Sequence, residues 1–273
     1  MRCIYALFLS FAYPASVDAP GSHVDRRYCG RPHRLRCPCC RHKRGAISSS
    51  PAEDGGLTFI GSQDGKVYAI NASNGAIVWK YTTGGAVTSS PAVAYSLIYI
   101  GSSDQKLYAL NVRSGALKWS YTTGGAITSS PVVSNGIVYV GSADDKLYAL
   151  NANNGKLKWS YTTGGAITSS PAVAGGVVYI GSADDNLDAL NATTGVLDWS
   201  YATKGAVSSS PTVANGLVYV GSEDANVYAF SAATGTLKWS YTTGNAVTSS
   251  PIVANGIVYV GSSDSLYAFG LPA

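Results

Sequence analysis

From Lys43 to its end the sequence contains neither cysteine nor histidine. That stretch therefore offers no thiolate nucleophile, no imidazole acid or base, and no His/Cys metal centre. Charge is scarce as well: Asp, Glu, Lys and Arg make up 12% of the 273 residues. No apolar run approaches the roughly 18 residues that a membrane-spanning helix requires. No long run follows helical periodicity either, which removes amphipathic helices from consideration. What the chain has in quantity is glycine, 31 residues, and tyrosine, 19 residues, the profile of short strands joined by tight turns.

The averages conceal two segments. Residues 1–45 hold nine Lys/Arg against two acids, together with all five cysteines and all three histidines, whereas residues 46–273 hold ten Lys/Arg against thirteen acids. The basic pI of 8.7 belongs to the first segment. The body has no basic stripe to neutralise phosphates, so nucleic acid is not an expected partner.

Residues 1–19 read as a candidate secretory signal peptide, with Arg2 as a minimal basic start, an apolar stretch from Cys3 to Tyr13, and small residues Val17 and Ala19 before a cleavage point. This predicts a periplasmic, cell-surface or secreted protein. Residues 20–45 are basic and Cys/Arg-rich. His33, Cys37, Cys39, Cys40 and His42 form a dense set of metal-ligand residue types, but their spacing fits no standard zinc pattern. Cys39 and Cys40 are adjacent and could close a vicinal disulfide. Without apolar periodicity, this segment is expected to be a disordered tail.

The body is a repeat. Proline recurs at 51, 91, 131, 171, 211 and 251, and tryptophan at 79, 119, 159, 199 and 239, each every 40 residues. One unit parses into four short strands: around 129–133, then 137–142, 147–150 and 156–161. The Asn135-Gly136 pair favours a two-residue hairpin turn, and Asn153-Asn154-Gly155 marks another. Leu147, Tyr148, Ala149 and Leu150 are apolar on both pleat faces, so this strand must lie between two other sheets. A four-stranded meander of about 40 residues, stacked on like neighbours, is one propeller blade. The predicted fold is all-β, a β-propeller of about six four-stranded blades over residues 46–273. The last blade is incomplete, because the chain supplies three strands after Pro251.

Ala149, Asn151, Gly155 and Trp159 resemble the tryptophan-docking motif A-x-D-x-x-T-G-x-x-x-W of the PQQ-repeat, quinoprotein alcohol dehydrogenase-like propellers. So do Ala69, Asn71, Gly75 and Trp79, and likewise Ala109, Asn111, Gly115 and Trp119. The set is completed by Ala189, Asn191, Gly195 and Trp199, and by Ala229, Ser231, Gly235 and Trp239. The family's Asp is Asn or Ser here. The resemblance implies that Trp79, Trp119, Trp159, Trp199 and Trp239 lock each blade to its neighbour. It also implies a place among propellers that include the BamB-type assembly proteins and PQQ-dependent dehydrogenases. Tyr81, Tyr121, Tyr161, Tyr201 and Tyr241 are read as packing residues.

The two-to-three and four-to-one loops should emerge on one face. That face should carry Asp64, Asp104, Asp144, Asp184, Asp224 and Asp264, either as a cation-attracting ring at the channel mouth or as caps of their own turns. Asp188 is the most unusual residue, standing where the other repeats have tyrosine; Asp198 and Lys204 are further departures of the same blade. With no unique catalytic pair and none of the inserted loops a quinoprotein dehydrogenase needs, the expected function is a non-enzymatic binding scaffold. Its partner should be another protein, with a small ligand at the channel mouth as a further candidate; the alternatives are a PQQ/Ca-dependent dehydrogenase-related protein or fragment and a small-molecule or glycan-binding sensor propeller. No cofactor and no transmembrane segment are expected.

Overall fold

The computed structural model describes residues 45–270, so the candidate signal peptide and the Cys/His-rich cluster lie outside the described residues. The described residues form 23 strands and no helix. The first blade is β1 (Ala52–Asp54), β2 (Leu57–Ser62), β3 (Lys66–Asn71) and β4 (Ile77–Thr82), and the second is β5 (Ala92–Ala94), β6 (Leu97–Gly101), β7 (Lys106–Asn111) and β8 (Leu117–Thr122). The third is β9 (Val132–Ser134), β10 (Ile137–Gly141), β11 (Lys146–Asn151) and β12 (Leu157–Thr162). The fourth is β13 (Ala172–Ala174), β14 (Val177–Gly181), β15 (Asn186–Asn191) and β16 (Leu197–Ala202). The fifth is β17 (Thr212–Ala214), β18 (Leu217–Gly221), β19 (Asn226–Ser231) and β20 (Leu237–Thr242), and the sixth is β21 (Ile252–Ala254), β22 (Ile257–Gly261) and β23 (Leu266–Gly270). Every sheet is an antiparallel meander in chain order; five have four strands and the last has three.

The turns explain the strand boundaries. Asn135 and Gly136 take φ of 48° and 74°, the pair of positive values a tight hairpin demands. The side-chain oxygen of Asn151 accepts the N–H groups of Asn153 and Asn154 at 3.0 and 3.2 Å, and so builds the turn into β12. One expectation needs correcting. The first strand of the unit is β9 at Val132–Ser134, later than residues 129–133. Ser129 and Ser130 are engaged elsewhere: Ser129 Oγ accepts the N–H of Gly141 at 3.1 Å, and the N–H of Ser130 donates to Ser170 Oγ at 2.9 Å.

Ser130 belongs to a chain of such links. The N–H groups of Ser50, Ser90, Ser130, Ser170 and Ser210 each donate to the serine hydroxyl 40 residues on, over 2.8–3.0 Å. Apolar packing follows the same step. Tyr99, Leu107, Ala109 and Trp119 of one blade pack on Val138, Val140, Tyr148 and Leu150 of the next. Tyr179, Leu187 and Ala189 meet Val218, Val220, Tyr228 and Phe230 in the same way. The third strand of each inner blade is thus buried on both faces, as its sequence requires. The sixth blade differs: Leu266 is 72% exposed, whereas Val67, Leu107, Leu147, Leu187 and Val227 at the same repeat position are fully buried.

Candidate functional site

The loops between second and third strands and between successive blades meet on one face, as the repeat predicts, and the aspartates are the joints between them. In the second blade, Asp104 Oδ1 accepts the N–H of Lys106 at 3.1 Å, closing its own turn. Its Oδ2 accepts the hydroxyl of Tyr108 at 2.6 Å and the N–H of Gly84, from the preceding blade, at 2.6 Å. Asp144 repeats the clasp with Tyr148 and Gly124, both at 2.6 Å. Asp224 does so with Tyr228 at 2.6 Å and the N–H of Lys204 at 3.0 Å. Because only the backbone of Lys204 is used, the glycine of the other repeats is not needed there. Asp64 receives Tyr68 at 2.7 Å, and Asp264 is exposed and held by Ser262 at 2.7 Å.

Burial works against charge on Asp64, Asp144 and Asp224, but the hydrogen bonds from tyrosine, serine and backbone outweigh it and hold all three below the ordinary carboxylate value. The partners move the other way: burial first, then the hydrogen bond to Asp64, pushes Tyr68 up to about 12. Asp64, Asp144 and Asp224 are therefore ionised turn caps, and Asp104, Asp144, Asp184 and Asp224 also clip their blade to the loop of the preceding one. The pairing of Asp104, Asp144 and Asp224 with the tyrosine four residues on, and with the loop twenty residues back, was not read from the sequence. Its signal was present, since Asp is followed by Tyr four residues on in four of the six repeats, at Asp64, Asp104, Asp144 and Asp224.

Asp188 breaks the pattern. In its siblings the tyrosine at this position also packs against a tyrosine of the preceding blade, with Tyr121 and Tyr148 centroids 5.6 Å apart. Here Tyr161 faces a carboxylate instead. Asp188 is only 3% exposed and lies opposite Ser200 in the ladder. Burial raises its pKa; hydrogen bonds from Ser200 and Tyr161 oppose the rise, and the negative charge of Asp184 adds to it. Tyr161 is pushed up to about 12 by burial and by these two carboxylates. Asp198 of the same blade is exposed on β16.

The tryptophans sit at the blade interfaces. Trp79, Trp119, Trp159 and Trp199 donate Nε1–H to the carbonyls of Val112, Ala152, Ala192 and Ala232, each 33 residues on, over 2.9–3.1 Å. The indole of Trp119 covers Gly155 so closely that a Cβ there would lie 2.6 Å from the ring; Gly115, Gly195 and Gly235 are covered likewise by Trp79, Trp159 and Trp199. Gly75, the turn glycine of the first blade, has φ of 73°. Trp239 packs on Tyr219 and Phe269. Trp79, Trp119, Trp159 and Trp199 thus dock on the turn glycine of the following repeat. Among the described residues no group of three or more His, Cys, Asp or Glu is placed to hold a metal ion.

The opposite turns carry a second feature that the sequence reading passed over. The hairpin position occupied by Gly or Asn in five repeats is Tyr95-Ser96 in the second, and both residues take positive φ, 53° and 59°. The Tyr95 hydroxyl accepts the N–H of Gly136 in the next blade at 3.0 Å. A cavity of about 440 Å³ opens beside it, lined by Tyr95, Ser96, Leu97, Asn111, Lys118 and Asn153.

Meandering sheets of 40 residues, joined by tryptophan docking, define a β-propeller of PQQ-type repeats. The family model for outer membrane protein assembly factor BamB matches residues 38–130, 122–210 and 202–270, and the chain belongs to that family. Solved structures agree on the fold. BamB from Moraxella catarrhalis is 19% identical with a TM-score of 0.56, over 82% of this chain and 85% of that one. The computationally designed Ika8 protein is 18% identical with a TM-score of 0.75, over 83% and 71%. Quinohemoprotein alcohol dehydrogenase from Comamonas testosteroni is 15% identical with a TM-score of 0.68; the match covers 80% of this chain but only 52% of the enzyme. No curated protein sequence matches the chain. Among the described residues no helix is long and apolar enough to cross a membrane.

Proposed function

We propose that the chain is a non-enzymatic propeller scaffold that binds another protein in the cell envelope or outside the cell. The observation that carries this reading is the engagement of the acidic face: the carboxylates of Asp64, Asp104, Asp144 and Asp224 are tied to tyrosines of their own blades, and those of Asp104, Asp144 and Asp224 also into blade joints. They build a rigid platform, and Asp184, the carboxylate beside Asp188, is likewise taken up by the N–H groups of Gly164 at 2.6 Å and Asn186 at 3.1 Å rather than left free to act as acid or base. The family's description as an assembly factor supports a protein partner and an envelope location. The likeness to quinohemoprotein dehydrogenases extends over only part of those enzymes, and it supports shared architecture rather than shared chemistry.

Titration with PQQ and Ca²⁺, following quinone absorbance and dye-linked alcohol oxidation, tests the reading against its enzymatic rival. The expected result is no saturable binding and no turnover; turnover would overturn it. In parallel, neutralising the aspartate set, with folding and binding of envelope proteins measured separately, locates the contact surface. A stability loss with no specific change in partner binding would remove the acidic face from that role.

A further inference from the structure

The Tyr95-Ser96 turn beside this cavity has no counterpart in the other repeats. At the equivalent turn they carry Gly55, Asn135, Gly175, Asn215 and Asn255. The combination of tyrosine in the turn, lysine on the fourth strand and asparagine in the next blade's turn occurs only as Tyr95, Lys118 and Asn153. A bulky aromatic residue in the left-handed region is an outlier that its surroundings must enforce. This one is also 56% exposed, so burial does not account for it. Its hydroxyl is pinned to Gly136, which fixes the ring over the cavity before any ligand arrives.

The lining has a definite chemistry. The Tyr95 ring and the buried Leu97 give apolar surface. The side-chain oxygen of Asn111 is taken by the N–H groups of Arg113 and Ser114 and by the Ser114 hydroxyl, so its NH₂ is the group left to offer. Among the described residues, Lys118 makes no ion pair and the Asn153 side chain no hydrogen bond. The depression is open and its accessible lining mostly apolar; among the polar side chains at its edge donors outnumber acceptors and include one cation, in a volume within the range of small-molecule sites. We propose that this cavity is a binding site for a carboxylated sugar, a hexuronate, with the ring of the sugar against Tyr95, its carboxylate on Lys118, and its hydroxyls on Asn111 and Asn153. The site lies on the turn side opposite the acidic face, and it does not depend on the scaffold reading.

The test is calorimetric or NMR titration of the full chain with D-glucuronate, alongside D-glucose and acetate as the two halves of its chemistry. The expected result is saturable glucuronate binding at least about tenfold tighter than either half. Tyr95→Asn, which installs the residue of three sibling turns, abolishes it; Lys118→Ala brings glucuronate down to the level of glucose. Absence of saturable binding up to about 20 mM overturns the proposal. So does undiminished binding by Tyr95→Asn, or acetate binding as tightly as glucuronate. A thermal melt confirms that Tyr95→Asn folds; should it not, Lys118→Ala and Asn153→Ala, both at exposed positions, decide the matter by the same titration.

Discussion

Replacing Asp188 by tyrosine should stabilise the protein, although it puts a large side chain where a small one now sits. The sibling sites show what would be regained. Tyr148 is 7% exposed, 5.6 Å from Tyr121, and 2.6 Å from Asp144. Burying the ring contributes about 2 kcal/mol, the aromatic pair with Tyr161 roughly 0.5–1.5 kcal/mol, and a hydrogen bond to the Asp184 carboxylate roughly 1.5–3 kcal/mol. Against this stand the lost contacts of Asp188 with Ser200 and Tyr161, about 1 kcal/mol each, and whatever relaxation has already closed the gap. A net gain of about 2 kcal/mol remains, which raises the melting temperature by roughly 4–8 °C in a domain of this size. The pH dependence carries the diagnostic. The raised pKa of Asp188 means that the native state holds its proton more tightly than the unfolded chain does. Stability from this group is therefore fully present below the ordinary value of 3.8 and is lost as pH rises through the raised one. The advantage of Asp188→Tyr must grow over that window, reinforced by the new tyrosine bond to the Asp184 carboxylate, while the contributions of carboxylates that the substitution does not touch cancel in the difference. Calorimetric melts of both proteins at about pH 4 and about pH 7 make the comparison. A variant less stable than the parent, or an advantage that does not change with pH, refutes the reasoning.

Other expectations follow from the same interfaces. Gly155→Ala adds a Cβ 2.6 Å from the Trp119 ring at a φ of 69°, and should cost about 2–4 kcal/mol in urea unfolding, with a changed indole fluorescence. Asp144→Asn weakens the bonds to Tyr148 and Gly124 and should cost about 1.5–3 kcal/mol, whereas the exposed Asp264→Asn should leave the unfolding midpoint where it is. Asp64, Asp144 and Asp224 lie below 3.8, so their contribution is present above that value and disappears as pH falls through their native values; acid unfolding followed by far-UV circular dichroism reads it. Tyr68, Tyr99, Tyr139 and Tyr161, each pushed up to about 12 mainly by burial, contribute stability that is whole below the ordinary value of 10.0 and is lost as pH rises through 12. Alkaline melts that show no loss across that window would contradict the burial of these rings.

The fold was legible because its signals repeat. A turn pair such as Asn135-Gly136 or a docking pair such as Trp119 and Gly155 is weak alone, but at a constant 40-residue interval it fixes blade length, strand number and neighbour. The early placement of the first strand came from taking Ser129 and Ser130 as strand residues; their bonds run to Gly141 and to the next blade, and sequence pattern does not distinguish a serine in a ladder from one that bridges loops. The candidate site was less legible for a related reason. The aspartates were visible as turn residues, yet the clasp from Asp104 to Tyr108 and to Gly84 joins groups that meet only once two blades are stacked. Asp188 was found as a departure from the repeat, while Tyr95 went unnoticed because turn residues were sought by the presence of Gly and Asn rather than by their loss.

The serine links have a direction. At each joint the upstream blade gives the N–H and the downstream blade gives the hydroxyl, with the same spacing and the same pair of apolar faces. Away from the joints that hold Asp188 and Tyr95, each blade therefore fits after any of the others as well as after its own predecessor, and the order of the units there is enforced by covalent connection. Insertion or excision of a whole 40-residue unit would leave the serine links matched on either side of the change. The same equivalence invites a folding chain to stack the wrong pair of blades. Asp188 and Tyr95, which make two joints chemically distinct from the rest, are the points at which such a mistake would be detected.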